Sequence, residues 1–287
     1  IKILSQTIKK KIFIGGEFME DLEFKVEEWI QSRFDKPISG LGEPMYEVMV
    51  ADNKILDWVP IWILKYKASV IIVAKEEWVS DLNELIKITD KDMLFSIYGT
   101  YELGRVTLPD GVNINGPSYY LFGDTEKCKL GLDSRVFMPS KEELAFVDKD
   151  IFWHCYLNNP VSAFAVEGEG KIAALATVTN RGGNVYEIGM VVERYAQGSG
   201  MGRAVVNGAA QWILEKGGTP CATVGSFNVP SARTLRSVGL TYYLTDMAGG
   251  TGDFAVPPQA LGTPIKDIDI YNLYPDWAMN PKIKSKK

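Results

Sequence analysis

Between residues 185 and 192 the apolar positions recur every second residue. Tyr186, Ile188, Met190 and Val192 fall on one face and Glu187 and Gly189 on the other, which predicts a strand buried on one side. Immediately afterwards the period changes. From Met201 the apolar residues Val205, Ala209, Trp212 and Ile213 recur at helical spacing, and Gly217 and Gly218 after Lys216 supply the stop. Between strand and helix stand Gly198, Ser199, Gly200 and Gly202, which leave the backbone uncovered where the first helical turn has unpaired N–H groups. Such a terminus favours an anion, so a phosphorylated ligand is the guest this pattern predicts.

The same reading extends to the flanks. Residues 134–138 read as a strand, and Ser140 with Glu143 forms a capping-box pattern that opens a helix. Residues 161–167 and 171–180 alternate as paired strands around the 168–170 turn, and 180–184 makes a second hairpin into the 185–192 strand. Residues 219–224 and 240–244 are further strands, separated by a helix that begins at Asn228 with Pro230 in its first turn. Residues 1–124 give a mixed pattern: a helix over 21–34, a short buried strand at 68–74, a helix around 78–88 and an aromatic strand at 118–122. Trp58, Trp62 and Trp78 are read there as packing residues. The polar stretch 123–131 suits a boundary. Three parts are expected: an N-terminal α/β domain over 1–124, a second domain over 133–247 and an irregular extension over 248–287.

Spacing narrows the phosphate ligand. A dinucleotide loop starting at Gly198 needs Gly or Ala where this chain has Arg203, and a P-loop needs a Gly-Lys-Ser/Thr ending that is absent. What Gln197-Gly198-Ser199-Gly200-Met201-Gly202 does match is Gln/Arg-x-x-Gly-x-Gly/Ala. In this respect the chain resembles the GCN5-related N-acetyltransferase (GNAT) superfamily, whose acyl-CoA pyrophosphate loop follows the fourth strand and opens the third helix. The Asn228, Ser231 to Gly239-Leu240 segment resembles the next helix of that family, and the layout resembles members with an N-terminal extension domain.

The resemblance implies an α/β (α+β) fold with a mixed, mostly antiparallel sheet flanked by helices, preceded by a smaller α/β domain that would set acceptor specificity. It implies acetyl-CoA as co-substrate. Gln197, Gly198, Ser199, Gly200, Met201, Gly202 and Arg203 would hold the pyrophosphate, and the main chain of Met190, Val191 and Val192 would pair with the pantetheine arm. Asn228 and Ser231 would sit near that arm, although Asn228 is equally an ordinary helix cap. Glu187 would be the general base, since an ammonium must lose a proton before it attacks, with an exposed or salt-bridged glutamate as the alternative. The family's usual acid, a tyrosine in the Asn-led helix, is replaced here by Leu235. Tyr242 and Tyr243 are left as substitute acids, each also readable as cross-strand packing.

Composition excludes more than it selects. In 287 residues there are 31 Lys and Arg against 36 Asp and Glu, a net charge of −5, so nucleic acid is not the expected partner. Three cysteines without a paired spacing indicate neither a disulfide framework nor a zinc site, and no metal is expected. The single histidine, His154, reads as a packed core residue and Cys221 as inert. No apolar run reaches the roughly 18 residues of a membrane helix, so a cytoplasmic protein without a membrane partner is expected. The resulting expectation is an acyl-CoA-dependent N-acyltransferase that passes acetyl directly to a small-molecule or peptide amine in a ternary complex. The alternative is a non-catalytic CoA-binding or sensing module, and a homodimer is left open.

Overall fold

The computed structural model describes residues 11–14 and 17–251. A short antiparallel pair, β1 (Lys11–Ile14) and β2 (Glu17–Glu20), leads into α1 (Asp21–Gln31). There follow β3 (Met45–Val50), α2 (Asn53–Leu56), β4 (Ile61–Tyr66), β5 (Ser69–Ala74), α3 (Glu76–Ile88), α4 (Ile97–Thr107) and β6 (Val112–Phe122). The second half runs α5 (Lys141–Ala145), β7 (Ser162–Gly168), β8 (Lys171–Asn180), β9 (Val185–Val192), α6 (Met201–Glu215), β10 (Thr219–Gly225), α7 (Val229–Val238) and β11 (Thr241–Thr251).

Nine strands form one sheet in the order β3-β5-β4-β11-β6-β10-β9-β8-β7, in which only the β3/β5 and β10/β9 pairs are parallel. The expected boundary at 124–133 therefore falls within a continuous sheet, because β6 from the first segment pairs with both β10 and β11 of the second. Each strand divides its side chains between two faces. On one face α6 and α7 cover Ile188, Ala222, Val224 and Leu240, while α3 and α4 cover Ile61, Ile63, Ile72 and Ile114. On the other, α1 buries Trp29 and Ile30 against Trp62, Phe122, Val185 and Cys221. The loop 146–161 shields the far end of that second face by sinking Phe152 and Cys155 against Ala165 and Leu175.

Three local expectations are corrected. Residues 134–138 make only a single bridge, Phe137 to Ala165, because Asp133 and Arg135 tie up the local chain in a turn. The last strand does not stop at 244. It runs to Thr251 with its 248–251 end paired to β6, so the irregular extension does not begin at 248, and residues 252–287 lie outside the described ones. The sequence reading also passed over β3, β4 and α4. Strands β4 and β5 are buried on both faces and so lack the alternation that betrays a half-buried strand.

Candidate functional site

The parallel pair β9/β10 is the centre of the site. Its register is Val185 to Thr219, Tyr186 to Pro220 and Glu187 to Cys221, and pairing goes no further although the strands continue to Val192 and Gly225. The two strands thus part after Glu187. On its other side β9 stays paired to β8 as far as Val192, so one edge of Met190, Val191 and Val192 faces the opening without a strand partner among the described residues.

The glycine loop stands at the mouth of this opening. Gly198 and Gly200 adopt positive φ values of 79° and 80°, where a side chain would be strained. Gly200 is the N-cap of α6 and offers no side chain to the N–H groups of Met201, Gly202 and Arg203. At Gly202 a Cβ would lie 3.1 Å from Val192 Cγ2, so a larger residue would press on the strand that leads into the opening. Ser199 Oγ donates to the Ala196 carbonyl at 2.5 Å and Gln197 Nε2 to the Val192 carbonyl at 3.3 Å, which fixes the loop's entry and leaves its backbone outward. Arg203 is exposed, and Arg135 reaches to 4.0 Å from the Cβ position of Gly200. Uncapped N–H groups flanked by arginines suit a pyrophosphate. Across the opening, Asn228 caps α7 by accepting from the Ser231 N–H at 3.2 Å. The capping alternative for Asn228 is therefore realised in the structure.

Glu187 points to the face opposite α6 and is buried, with 6% of its surface exposed. It is not alone there. Arg181, in the 180–185 hairpin, grips its carboxylate through Nε at 2.5 Å and through Nη2. Arg181 is fixed in turn from α1, because Trp29 Nε1 and Arg33 Nη2 donate to its carbonyl at 3.3 and 2.7 Å. The Arg33 guanidinium lies over the Trp29 ring at 4.5 Å, and burial lowers its pKa. Burial opposes the Arg181 charge as well, but Glu187 outweighs it and the Arg181 pKa is raised. Arg33 Nε, Thr177 Oγ1 and Thr179 Oγ1 are buried with no hydrogen-bond partner among the described residues. Thr177 and Thr179 stand opposite Gly189 and Glu187 on β8, so unused polar atoms cluster around this carboxylate.

The loop 146–161 closes the same face. A Cβ at Gly189 would come within 2.3 Å of the His154 carbonyl oxygen, so only glycine admits the loop here. His154 is not a packed core residue as the sequence suggested. It is exposed and stacked on Trp153 with ring centroids 3.5 Å apart, and partial burial lowers its pKa against the opposing pull of Glu187.

Neither Tyr242 nor Tyr243 is built into the Glu187 cluster. Tyr242 packs on Tyr119 at 5.4 Å, under the Arg236 guanidinium, and is 45% exposed. Tyr243 packs edge-on to Phe122 and accepts from Lys127 Nζ at 2.7 Å. Two other tyrosines stand near Glu187: Tyr156 of the 146–161 loop, whose ring lies 5.6 Å from the Arg181 guanidinium, and Tyr120 of β6, opposite Thr223 of β10 and thus two residues past the last β9/β10 pair. The Tyr120 ring lies 5.7 Å from Trp29, and burial, with the carboxylates of Asp246 and Glu187 nearby, pushes its hydroxyl pKa well above the ordinary value. Buried Asp246 accepts from Trp62 Nε1 at 2.9 Å. Sequence reasoning missed Arg181, Tyr120 and Asp246; the aromatic 118–122 strand was the one signal available for Tyr120.

Comparison with known families matches residues 132–240 to the acetyltransferase (GNAT) family. The chain carries a GNAT acetyltransferase domain. It is similar in structure to a GNAT-family acetyltransferase from Novosphingobium aromaticivorans (14% identity, 48% of this chain and 66% of that one, TM-score 0.41). It is similar also to a GCN5-related N-acetyltransferase from Kribbella flavida (19% identity, 52% and 64%, TM-score 0.39). A third similar structure is the ribosomal-protein-S18-alanine N-acetyltransferase from Escherichia coli (17%, 39% and 90%, TM-score 0.30). The chain spans just under two thirds of the length of the first two. No curated protein matches it. The GNAT domain contains the parted strands, the glycine loop and Glu187; Tyr120, Asp246, Trp29 and Arg33 lie outside the matched residues.

Proposed function

We propose that the protein is an acyl-CoA-dependent N-acyltransferase that transfers acetyl from acetyl-CoA directly to a primary amine within a ternary complex. The observation that carries this reading is the parting of β9 from β10 after Glu187, with the uncapped α6 terminus at one side of the opening and a buried carboxylate on the opposite face of the sheet. Donor and acceptor can then approach the gap from opposite sides.

In this reading the loop 197–203 holds the pyrophosphate through backbone N–H groups, and the free edge of Met190, Val191 and Val192 aligns the pantetheine amides as an added strand would. Asn228 and Ser231 border the arm. Glu187 takes the proton from the amine, and attack then needs no covalent enzyme intermediate. The Glu187–Arg181 ion pair bears on this step, because the guanidinium occupies Oε2 of the carboxylate that must reach the amine. That same pair, with Leu235 where the family places a tyrosine, is what favours the second reading, a non-catalytic CoA-binding module.

Thiol release from acetyl-CoA, followed with a panel of primary amines that includes amino acids, a polyamine and a peptide, separates the two. Turnover with any amine excludes the binding module. A melting temperature raised by acetyl-CoA without turnover excludes the enzyme, and no rise at all removes both.

A further inference from the structure

On the face that carries Glu187 the guanidinium donors outnumber the carboxylate oxygens that engage them. Arg181 places both Nε and Nη2 on one oxygen of Glu187, Oε2, and Oε1 accepts no hydrogen bond among the described residues. Arg33 stands beside Arg181, its Nη2 donating to the Arg181 carbonyl at 2.7 Å, and it forms no ion pair among the described residues. Its guanidinium lies over the Trp29 ring at 4.5 Å and the Trp58 ring at 5.7 Å. Asp246 does not balance it, being held by Trp62 Nε1 at 2.9 Å.

The unused polar atoms here share one property. Arg33 Nε is buried without a hydrogen-bond partner, and so are the hydroxyls of Thr177 and Thr179, which stand on β8 opposite Gly189 and Glu187. Every one of them can donate, and a guanidinium nitrogen can do nothing else. What this face lacks is therefore an acceptor, and beside two guanidiniums the acceptor that fits is a carboxylate.

Resting on the acyltransferase reading above, we propose that the acyl acceptor is a free α-amino acid, its ammonium on Glu187 and its carboxylate on Arg33 and Arg181. The contacts set the length of the molecule. Arg181 touches Glu187 directly and Arg33 touches Arg181, so an ammonium on Oε1 and a carboxylate on the guanidinium pair must be joined by a short link. The room is correspondingly small. Glu187 is 6% exposed, Trp29 of α1 closes one side by donating to the Arg181 carbonyl at 3.3 Å, and Tyr156 of the 146–161 loop closes the other with its ring 5.6 Å from the Arg181 guanidinium. A peptide N-terminus would bring a neutral amide to the two arginines, and a polyamine would bring a second positive charge, so both are selected against. The zwitterion also gives Arg181 a second carboxylate, which leaves the charge of Glu187 to the ammonium whose proton it takes.

The test compares free α-amino acids, with small, apolar, aromatic and charged side chains, with their carboxamides, which keep the amine and lose only the negative charge. Thiol release from acetyl-CoA by the full chain gives kcat/KM for each. The acids should exceed their carboxamides by about 100-fold, as expected for charge-assisted hydrogen bonds to two guanidiniums. In Arg33→Gln that ratio should fall to about 10, and in Arg33→Lys, which keeps the charge without the planar fork, to a value between the two. If Arg33 merely ties α1 to the hairpin, its loss lowers both substrates alike, and a ratio unchanged from wild type overturns the proposal. A wild-type ratio near one, or turnover confined to carboxamides, a polyamine or a peptide, overturns it as well, without any variant having to fold, and leaves the acyltransferase reading standing. Absence of thiol release with every amine removes that reading and the amino-acid acceptor with it.

Discussion

Asp246 makes a prediction about stability that does not depend on any ligand. A carboxyl whose pKa rises from an ordinary 3.8 to about 6 on folding binds its proton more tightly in the native state. The native state is then penalised as pH climbs through the unfolded value, and the penalty is complete above the folded one. From those two values the cost is about 1 kcal/mol at pH 4.5 and about 3 kcal/mol at pH 7.5. Asp246→Asn removes the charge and keeps the shape. An amide oxygen still accepts from Trp62 Nε1, and the NH₂ faces Tyr120. Whatever pH-independent change the amide brings is common to both conditions, so the gain in unfolding free energy of the variant should be larger at pH 7.5 than at pH 4.5 by about 2 kcal/mol. Urea denaturation at the two pH values, with the slope checked for constancy, measures it. An equal change at both pH values would refute the raised pKa, and a larger gain at pH 4.5 would reverse its sign.

Other positions give sharper local outcomes. Gly200→Val forces a β-branched residue to a φ of 80° and Gly202→Val presses on Val192, so both should lose acetyl-CoA binding, seen as absence of the ligand-induced rise in melting temperature. Glu187→Gln should lower turnover about 100-fold with acetyl-CoA affinity near normal; an unaltered pH–rate profile would mean that Glu187 is not the base. Gly189→Ala places a methyl within 2.3 Å of the His154 carbonyl, so the loop 146–161 must shift. A loss of about 1–3 kcal/mol in stability and a raised KM for the acceptor, with unchanged acetyl-CoA affinity, are expected in denaturation and steady-state assays.

Legibility in the sequence followed from how far apart the interacting residues are. The glycine-loop side is written in one stretch: alternation over 185–192, glycines at 198, 200 and 202, and helical spacing from Met201 are all local signals, and the structure reproduces each as β9, the loop and α6. The side assignment of Glu187 was legible for the same reason, since strand period alone decides it. The face around Glu187 was not. Trp62 and Asp246 meet across 184 residues of sequence, and Trp29 and Arg181 across 152. No spacing rule reaches such pairs. Tyr242 and Tyr243 were singled out because they follow the Asn228 helix, but proximity in sequence put them on a bulged strand where they serve Tyr119, Arg236, Phe122 and Lys127.

The sheet order explains why the face that carries Glu187 had to be assembled from both halves. Strands β10 and β11 lie on either side of β6, so the GNAT segment does not by itself close its sheet at the position next to the opening. The missing strand comes from residues 112–122 and brings Tyr120 with it. β4 then pairs with the outer side of β11 and delivers Trp62 to Asp246, while α1 crosses the same face and delivers Trp29 and Arg33 to Arg181. A core of this density transmits displacement rather than absorbing it. A change at Trp29 or Arg33, remote from the glycine loop, should therefore act first on Arg181 and through it on Glu187. The first segment is in this sense the back wall of the proposed acyltransferase site.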